Sequence, residues 1–288
     1  MVFKRSTSFA ALIAVIVGLV STSATADTSK YTGEDAAQMY AAYAEPSPKQ
    51  FGGSCWLDAS NTIIEPNSSE QARCMPMLGA KKTAIIWGDS AIAMYARDFK
   101  IKFAQAGYSM GQLTSSACPP FPKFHVVSRP FCEAYNDRFI KLILQARPSI
   151  VVMGWHPYTA ISPDQLATTL NLLTSRGIKV VIVGSEPLFH TAGRLILAAR
   201  ARKDDPSVTI DATENPAFKG LEASEKLLRR TIVNRAPSVG FVSVLATVCP
   251  NEVCILAVSG TPMYFDTLHV TPLGSALNTE RLFPQILR

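Results

Sequence analysis

The sequence contains no C-x-x-C pair, no G-x-G-x-x-G, no G-x-x-x-x-G-K-[ST] and no H-E-x-x-H. Those absences remove the usual signatures of zinc, dinucleotide and nucleotide-phosphate sites, and no cofactor is expected. No cysteine lies near a histidine pair, so a metal site is not expected either. Histidine is scarce: His125, His156, His190 and His269 are the only four, and histidine is the side chain whose ordinary pKa lies near neutrality. The basic pairs, Lys81-Lys82 and Arg229-Arg230, are scattered and not interleaved with aromatics. A pI of 9.0 therefore reads as a mild surface bias and not as a nucleic-acid footprint. There is no internal repeat and no long low-complexity segment. After residue 20 no stretch is long and apolar enough to span a bilayer, so no membrane span is expected in the mature chain.

The one long apolar run is N-terminal. Lys4 and Arg5 precede the run from Phe9 to Val20, and small residues follow, ending in Ala24-Thr25-Ala26. Basic, apolar and A-x-A segments in that order make a secretory signal peptide over 1–26, with cleavage near Ala26 and a secreted or periplasmic mature chain. Removing Lys4 and Arg5 lowers the formal charge from +6 to +4. The six cysteines, Cys55, Cys74, Cys118, Cys132, Cys249 and Cys254, are an even number in an exported chain, which suggests disulfides. Fifteen pairings are possible. Neighbour pairing (55 with 74, 118 with 132, 249 with 254) is the simplest, each bridge stapling a loop.

Residues 27–80 carry Pro46, Pro48, Gly52, Gly53 and Pro66 with little periodicity, and only Glu34 to Ala44 has a helical pattern. This stretch reads as an N-terminal extension tied to the main domain, which occupies 81–288. From Thr83 onward, apolar strands alternate with helices. Strands are expected over 83–87, 108–113, 150–154, 178–183 and 240–244. Helices are expected over 91–106, 133–146, 163–175, 221–235 and 271–287, the last with Pro272 in its first turn. Continuous apolar strands between amphipathic helices make an α/β fold with a parallel sheet covered on both faces. Ligands bind such sheets outside the carboxyl ends of the strands, so the residues just after each strand matter most.

The first such loop is Gly88-Asp89-Ser90. A serine between a strand end and a helix start can present its hydroxyl and its N–H to a site, although N-capping alone would also place it there. To act as a nucleophile it needs a base, and the base needs an orienting group. Asp266-Thr267-Leu268-His269, just before the last helix, offers both. An Asp three residues ahead of a His can turn back onto Nδ1 and leave Nε2 for the serine.

Trp87-Gly88-Asp89-Ser90, Ser116-Ala117-Cys118-Pro119-Pro120, the strand ending at Trp155, and Asp266-Thr267-Leu268-His269 occur in an order that resembles the SGNH hydrolase superfamily. More narrowly, the chain resembles the extracytoplasmic SGNH domain of acyltransferase-3 type membrane O-acyltransferases, over about residues 55 to 288. The resemblance implies a three-layer α/β/α flavodoxin-like fold, with Ser90, His269 and Asp266 as catalytic residues. It also implies acyl-ester chemistry on a carbohydrate: O-acetyl transfer to, or removal from, a cell-surface glycan. The chain departs from the family pattern in three ways. Ala91 follows the serine where histidine is usual. No glycine stands at Ser116 or Ala117. Met153-Gly154-Trp155-His156 lacks the asparagine that helps hold the oxyanion. Amides of Ser90 and of Ser116 or Ala117 remain available as donors, with Asp89, Gly154 and Trp155 nearby.

His156 follows a strand and is a candidate pocket residue. Trp155 and Tyr158 are candidates for stacking on a sugar, and Glu186 for the site mouth. His125 and His190 sit in loops without a partner in sequence. Two functions compete. The chain is a serine-dependent O-acyl esterase or O-acetyltransferase, or it is an SGNH-like glycan-binding or partner domain that works beside a separate membrane acyltransferase.

Overall fold

A computed structural model describes residues 49–58, 73–156, 160–189, 209–211, 215, 217–259 and 261–288. The signal-peptide segment, the expected helix at Glu34 to Ala44, Tyr158 and His190 lie outside the described residues. Six strands form one wholly parallel sheet. In chain order they are β1 (Trp56–Leu57), β2 (Thr83–Gly88), β3 (Ser109–Ser115), β4 (Ile150–Gly154), β5 (Lys179–Val183) and, after the short β6 (Thr209–Asp211), β7 (Gly240–Val242). Across the sheet they run β1-β3-β2-β4-β5-β7. From β2, next to the middle, the chain builds outward to each side, while the earlier β1 is added at the edge beyond β3. That order is the doubly wound one, with its switch point at the C-terminal end of β2.

The strands read as continuous apolar runs because both faces are covered. On one face Ile86, Val152 and Val181 meet Phe99 and Phe103 of α2 (Ala96–Gln105) and Leu282 and Ile286 of α7 (Pro272–Leu287). On the other, Ile85, Trp87, Val151 and Met153 meet Tyr135, Phe139 and Ile143 of α3 (Cys132–Ala146) and Leu166, Leu170 and Leu173 of α4 (Pro163–Thr174). Each such side chain, fully buried, contributes about 1.5–3 kcal/mol. The helix starts are written in the sequence: Ser162 accepts from Gln165 N–H and Thr271 from Gly274 N–H, each followed by a proline at the first helical position.

Three expectations need correction. The helix over 91–106 is broken into α1 (Ser90–Ala93) and α2 by a turn at Met94 and Tyr95. The break turns Tyr95 fully into the core, where its hydroxyl lies 3.5 Å from Asn278 Nδ2. The strand expected to reach Val244 stops at Val242, because Ser243 caps the short helix α6 (Val244–Val248) through Ala246 N–H. The helix expected over 221–235 starts earlier, as α5 (Phe218–Arg235).

Segments ahead of β2 join the sheet. Trp56–Leu57 extends it beyond β3, and Cys74 O accepts from Gln112 N–H on the same strand. The three disulfides are Cys55–Cys74, Cys118–Cys132 and Cys249–Cys254.

Candidate active site

Ser90 sits where β2 ends. Gly88 makes the turn possible: its φ is +154°, and a Cβ there would lie 1.8 Å from the Gly154 carbonyl oxygen. Gly154 is likewise shut against Ile92, whose Cβ would be 2.9 Å from an added methyl. β2 and β4 are paired at Gly88 and Gly154, and Asp89 N–H donates to Gly154 O at 3.3 Å. The two glycines let the α1 start press onto the strand ends, which fixes Ser90 at the rim.

Asp89 is 1% exposed, and its two carboxylate oxygens are occupied. Oδ1 accepts from Ala91 N–H (2.9 Å) and Oδ2 from His156 N–H (2.8 Å). Burial pushes its pKa up to about 6, against the pull of those two amides and of nearby His269. Asp89 is therefore a clamp between the Ser90 turn and the end of β4, and it also lines the cavity on which Ser90 opens.

The candidate base and its orienting group are built from a single turn. Asp266 Oδ1 accepts from Leu268 N–H (2.8 Å) and His269 N–H (2.6 Å), and Oδ2 lies 2.6 Å from His269 Nδ1. His269 Nε2 lies 2.8 Å from Ser90 Oγ. Burial raises the Asp266 pKa, but the hydrogen bond from the His269 ring, its charge and the two turn amides outweigh this and leave it lowered. Two rings hold the imidazole plane: Phe265 stacks at 5.7 Å and Phe51 meets it edge-on at 5.3 Å. Beneath the turn, Tyr264 donates to Glu186 at 2.8 Å, and Asn278 donates to the other Glu186 oxygen at 3.0 Å. Glu186 is 1% exposed, and burial pushes its pKa to about 8. It supports the histidine turn from below and does not reach the site mouth.

The oxyanion side is looser. Ser116 N–H donates to Leu57 O at 2.7 Å and is spent in holding β1, so it is not an oxyanion donor. Ala117 takes a left-handed φ of +51°. Among the described residues no protein acceptor faces the N–H of Ser90 or of Ala117. The loop bearing Ala117 is fixed by the Cys118–Cys132 bridge, by Asn136 Nδ2 donating to Pro119 O (2.7 Å) and by Trp87 Nε1 donating to Asn136 (2.9 Å).

Ser90 and Ala117 open on a cavity of about 400 Å³ with Phe124, His125, Val126 and His156 on its walls. Burial, and then the charge of His269, lower the His156 pKa, which favours a neutral ring. His125, unpartnered in the sequence, reaches this cavity because the loop after β3 folds back over the strand ends. No local signal marks it. Trp155 is 7% exposed, packs edge-on against Phe121 at 5.1 Å, and lines a separate apolar groove with Leu166 and Leu228. Gly154 acts through its carbonyl and its missing side chain. Among the described residues no group of His, Cys, Asp and Glu is arranged to hold a metal ion.

The fold and the site define a doubly wound α/β protein with a Ser–His–Asp constellation at its topological switch point. A profile of the SGNH domain (fused to AT3 domains) matches residues 55–284, and the chain belongs to that family. Membership puts it in the general class of SGNH acyl esterases and acetyltransferases. Among solved structures it is similar to the periplasmic domain of a Salmonella ser. Paratyphi A lipopolysaccharide acetyltransferase, at 15% identity and a TM-score of 0.67, over 91% of this chain and 99% of that one. It is also similar to a mutant of Axe2, an acetyl-xylooligosaccharide esterase from Geobacillus Stearmophilus, at 10% identity and a TM-score of 0.41, over 73% and 95%. No curated protein matches the chain in sequence. Among the described residues no helix is long and apolar enough to cross a membrane.

Proposed function

We propose that the chain is an exported, serine-dependent O-acyl esterase or O-acetyltransferase that acts on a cell-surface or extracellular carbohydrate. The observation that carries this reading is the continuous contact Ser90 Oγ–His269 Nε2–Asp266, at 2.8 and 2.6 Å. His269 Nε2 takes the Ser90 proton as Oγ bonds to the acyl carbon of an ester. Asp266 holds Nδ1–H and so sets the tautomer and stabilises the imidazolium. The carbonyl oxygen becomes an oxyanion facing the N–H groups of Ser90 and Ala117. The C–O bond then breaks, and the leaving alkoxide takes the proton from His269. This gives acyl-Ser90 and a free hydroxyl. Water, or a sugar hydroxyl, gives its proton to His269 and attacks the acyl carbon, which restores Ser90.

The cavity wall of Phe124, Val126 and Pro119 suits a small acyl group. The family's fusion to AT3 domains motivates a separate membrane acyltransferase as partner, and the N-terminal signal motivates export. A second reading, a glycan-binding or partner domain without turnover, is favoured by one observation: two backbone amides remain on the oxyanion side, with no asparagine and with Ser116 spent. The test is hydrolysis of p-nitrophenyl acetate by the unmodified chain and by Ser90→Ala. Activity lost in the variant supports the enzyme. Equal rates from two folded proteins would count against ester hydrolysis and favour the binding domain.

A further inference from the structure

Parallel strands are all entered from the same end, so the segments that feed them collect there, at the pole opposite Ser90. In this chain they are 77–82, 106–108, 147–149, 175–178 and 236–239, leading into β2, β3, β4, β5 and β7. Hydrogen bonds join them into one row. Ser109 N–H donates to Lys82 O (2.9 Å), Thr83 N–H to Ser149 Oγ (3.3 Å) and Lys179 N–H to Ser149 O (3.2 Å). These segments contain Lys81, Lys82, Arg147 and Arg176, and no aspartate or glutamate. Cations that are scattered in the sequence are thus gathered by the topology. β2, β4 and β5 are neighbours in the sheet, so the backbones of the four fall within a band of roughly 15 Å.

All four side chains are exposed, and among the described residues none is within ion-pair distance of a carboxylate. The helices that close at this end add no acid: the last four residues of α2, α3, α4, α5 and α7 contain none. Two further cations there are occupied, Lys179 by Leu287 O (3.0 Å) and Arg235 by Asp164. Arg147 and Arg176 directly follow or nearly follow the C-termini of α3 and α4, where a cation offsets the helix dipole, and that alone would account for them. Lys81 and Lys82 follow no helix. They follow a turn whose tip holds Met77, 72% exposed, and Leu78, 102% exposed. The turn is fixed: Met77 N–H donates to Ser109 Oγ (2.8 Å), Ala80 N–H to Met77 O (3.3 Å), and Gly79 supplies the left-handed φ of +78°. Two large apolar side chains held in solvent beside two lysines are the makings of an interfacial anchor. The apolar pair enters the boundary between headgroups and acyl chains, and the cations meet lipid phosphates. A soluble acidic partner would need the lysines alone.

We propose that the end of the sheet at which the strands begin is a membrane-docking face, which sets Met77 and Leu78 into the surface of an anionic bilayer with Lys81, Lys82, Arg147 and Arg176 on its lipid phosphates. Ser90 stands beyond the other end of β2, about 20 Å away along six strand residues. Docking by this face therefore turns the Ser90 site away from the bilayer. The binding itself does not depend on the enzyme reading. That reading gives the orientation its use, since the site then faces a glycan that stands off the membrane.

The test is co-sedimentation of the chain, purified from the exported fraction, with vesicles of equimolar phosphatidylglycerol and phosphatidylcholine and with vesicles of phosphatidylcholine alone. Two variants are compared with it: Lys81→Gln with Lys82→Gln, and Met77→Ser with Leu78→Ser. The unmodified chain sediments with the anionic vesicles and not with the neutral ones, and its affinity falls as ionic strength rises. Each double variant weakens the anionic binding by roughly tenfold, the first through lost charge and the second through lost apolar insertion. All four substitutions are at exposed positions, so circular dichroism melting curves and p-nitrophenyl acetate hydrolysis stay unchanged. Absent binding, equal binding to neutral vesicles, or binding untouched by the lysine pair overturns the proposal. So does binding that loses strength with the lysines but not with Met77 and Leu78, which would make this face a purely electrostatic contact for an acidic partner. Sedimentation needs no turnover. Vesicle binding by a chain without esterase activity would defeat the enzyme reading and leave the docking face standing; esterase activity without vesicle binding would do the opposite.

Discussion

The two sides of the Ser90 site are built differently. The His269 side is a single seven-residue stretch, from Tyr264 to Val270, in which one carboxylate ties two backbone amides and one ring nitrogen. The stretch is clamped by Phe51 and Phe265 and underpinned by Glu186. The oxyanion side is assembled from three distant places: the end of β2, the loop after β3 and the end of β4. It offers two amides held by the Asp89 clamp, a disulfide and the Asn136 network. A base and its orienting acid can be specified by a three-residue spacing. An oxyanion site needs N–H groups aimed at a point in space, which only the packed fold provides.

The comparison can be broken most severely on the histidine side. Asp266→Asn keeps an acceptor for the turn amides but presents an N–H to the ring and favours the wrong tautomer. Ester hydrolysis should fall by on the order of 10³–10⁴-fold in kcat with the fold intact, as steady-state kinetics and circular dichroism together would show. A loss under tenfold would mean that Asp266 only shapes the turn.

On the other side the largest structural effect belongs to Gly88→Ala. Its methyl would meet a backbone oxygen rather than a flexible side chain, so the strand ends must separate. A cost of about 3 kcal/mol is expected, read as a lower midpoint in urea with unchanged slope. His156→Ala sharpens the contrast. It keeps the N–H that holds Asp89 and removes only the ring from the cavity. A fall in kcat/KM of about tenfold is expected, below the roughly 10²–10³-fold cost of a preorganised oxyanion donor. A hundredfold fall would instead make the His156 side chain the substitute for the missing asparagine.

The smallest effect concerns the support under the histidine turn. Glu186 has a folded pKa of about 8, raised by burial from an ordinary 4.5. Between those values the folded state holds a proton that the unfolded state has released. Stability is therefore fully present below about pH 4.5 and declines as pH rises toward 8. Glu186→Gln should flatten that decline in melting temperatures measured from pH 5 to 8. An equally steep decline in the variant would place the proton elsewhere.

Much of this was legible in the sequence, for identifiable reasons. The parallel sheet follows from strands such as Ile150 to Gly154, apolar throughout because both faces are covered. The Asp266–His269 unit is legible because it is local. The break at Tyr95 was hidden, since an aromatic continues an amphipathic pattern whether or not the helix turns there. The sequence offers Ser116 and Ala117 as alternative donors and does not choose between them, because the acceptor that takes up the Ser116 N–H, Leu57, belongs to a two-residue edge strand in a stretch with little periodicity. His125 and Glu186 depend wholly on tertiary folding: a loop that folds back, and a glutamate buried against Tyr264 and Asn278.

The most direct test of the central claim is mass spectrometry of the chain quenched seconds after mixing with p-nitrophenyl acetate. The account predicts an acetyl increment on the peptide carrying Ser90, accumulating in the unmodified chain and absent from His269→Ala. An increment found elsewhere, or equally strong without His269, would contradict it.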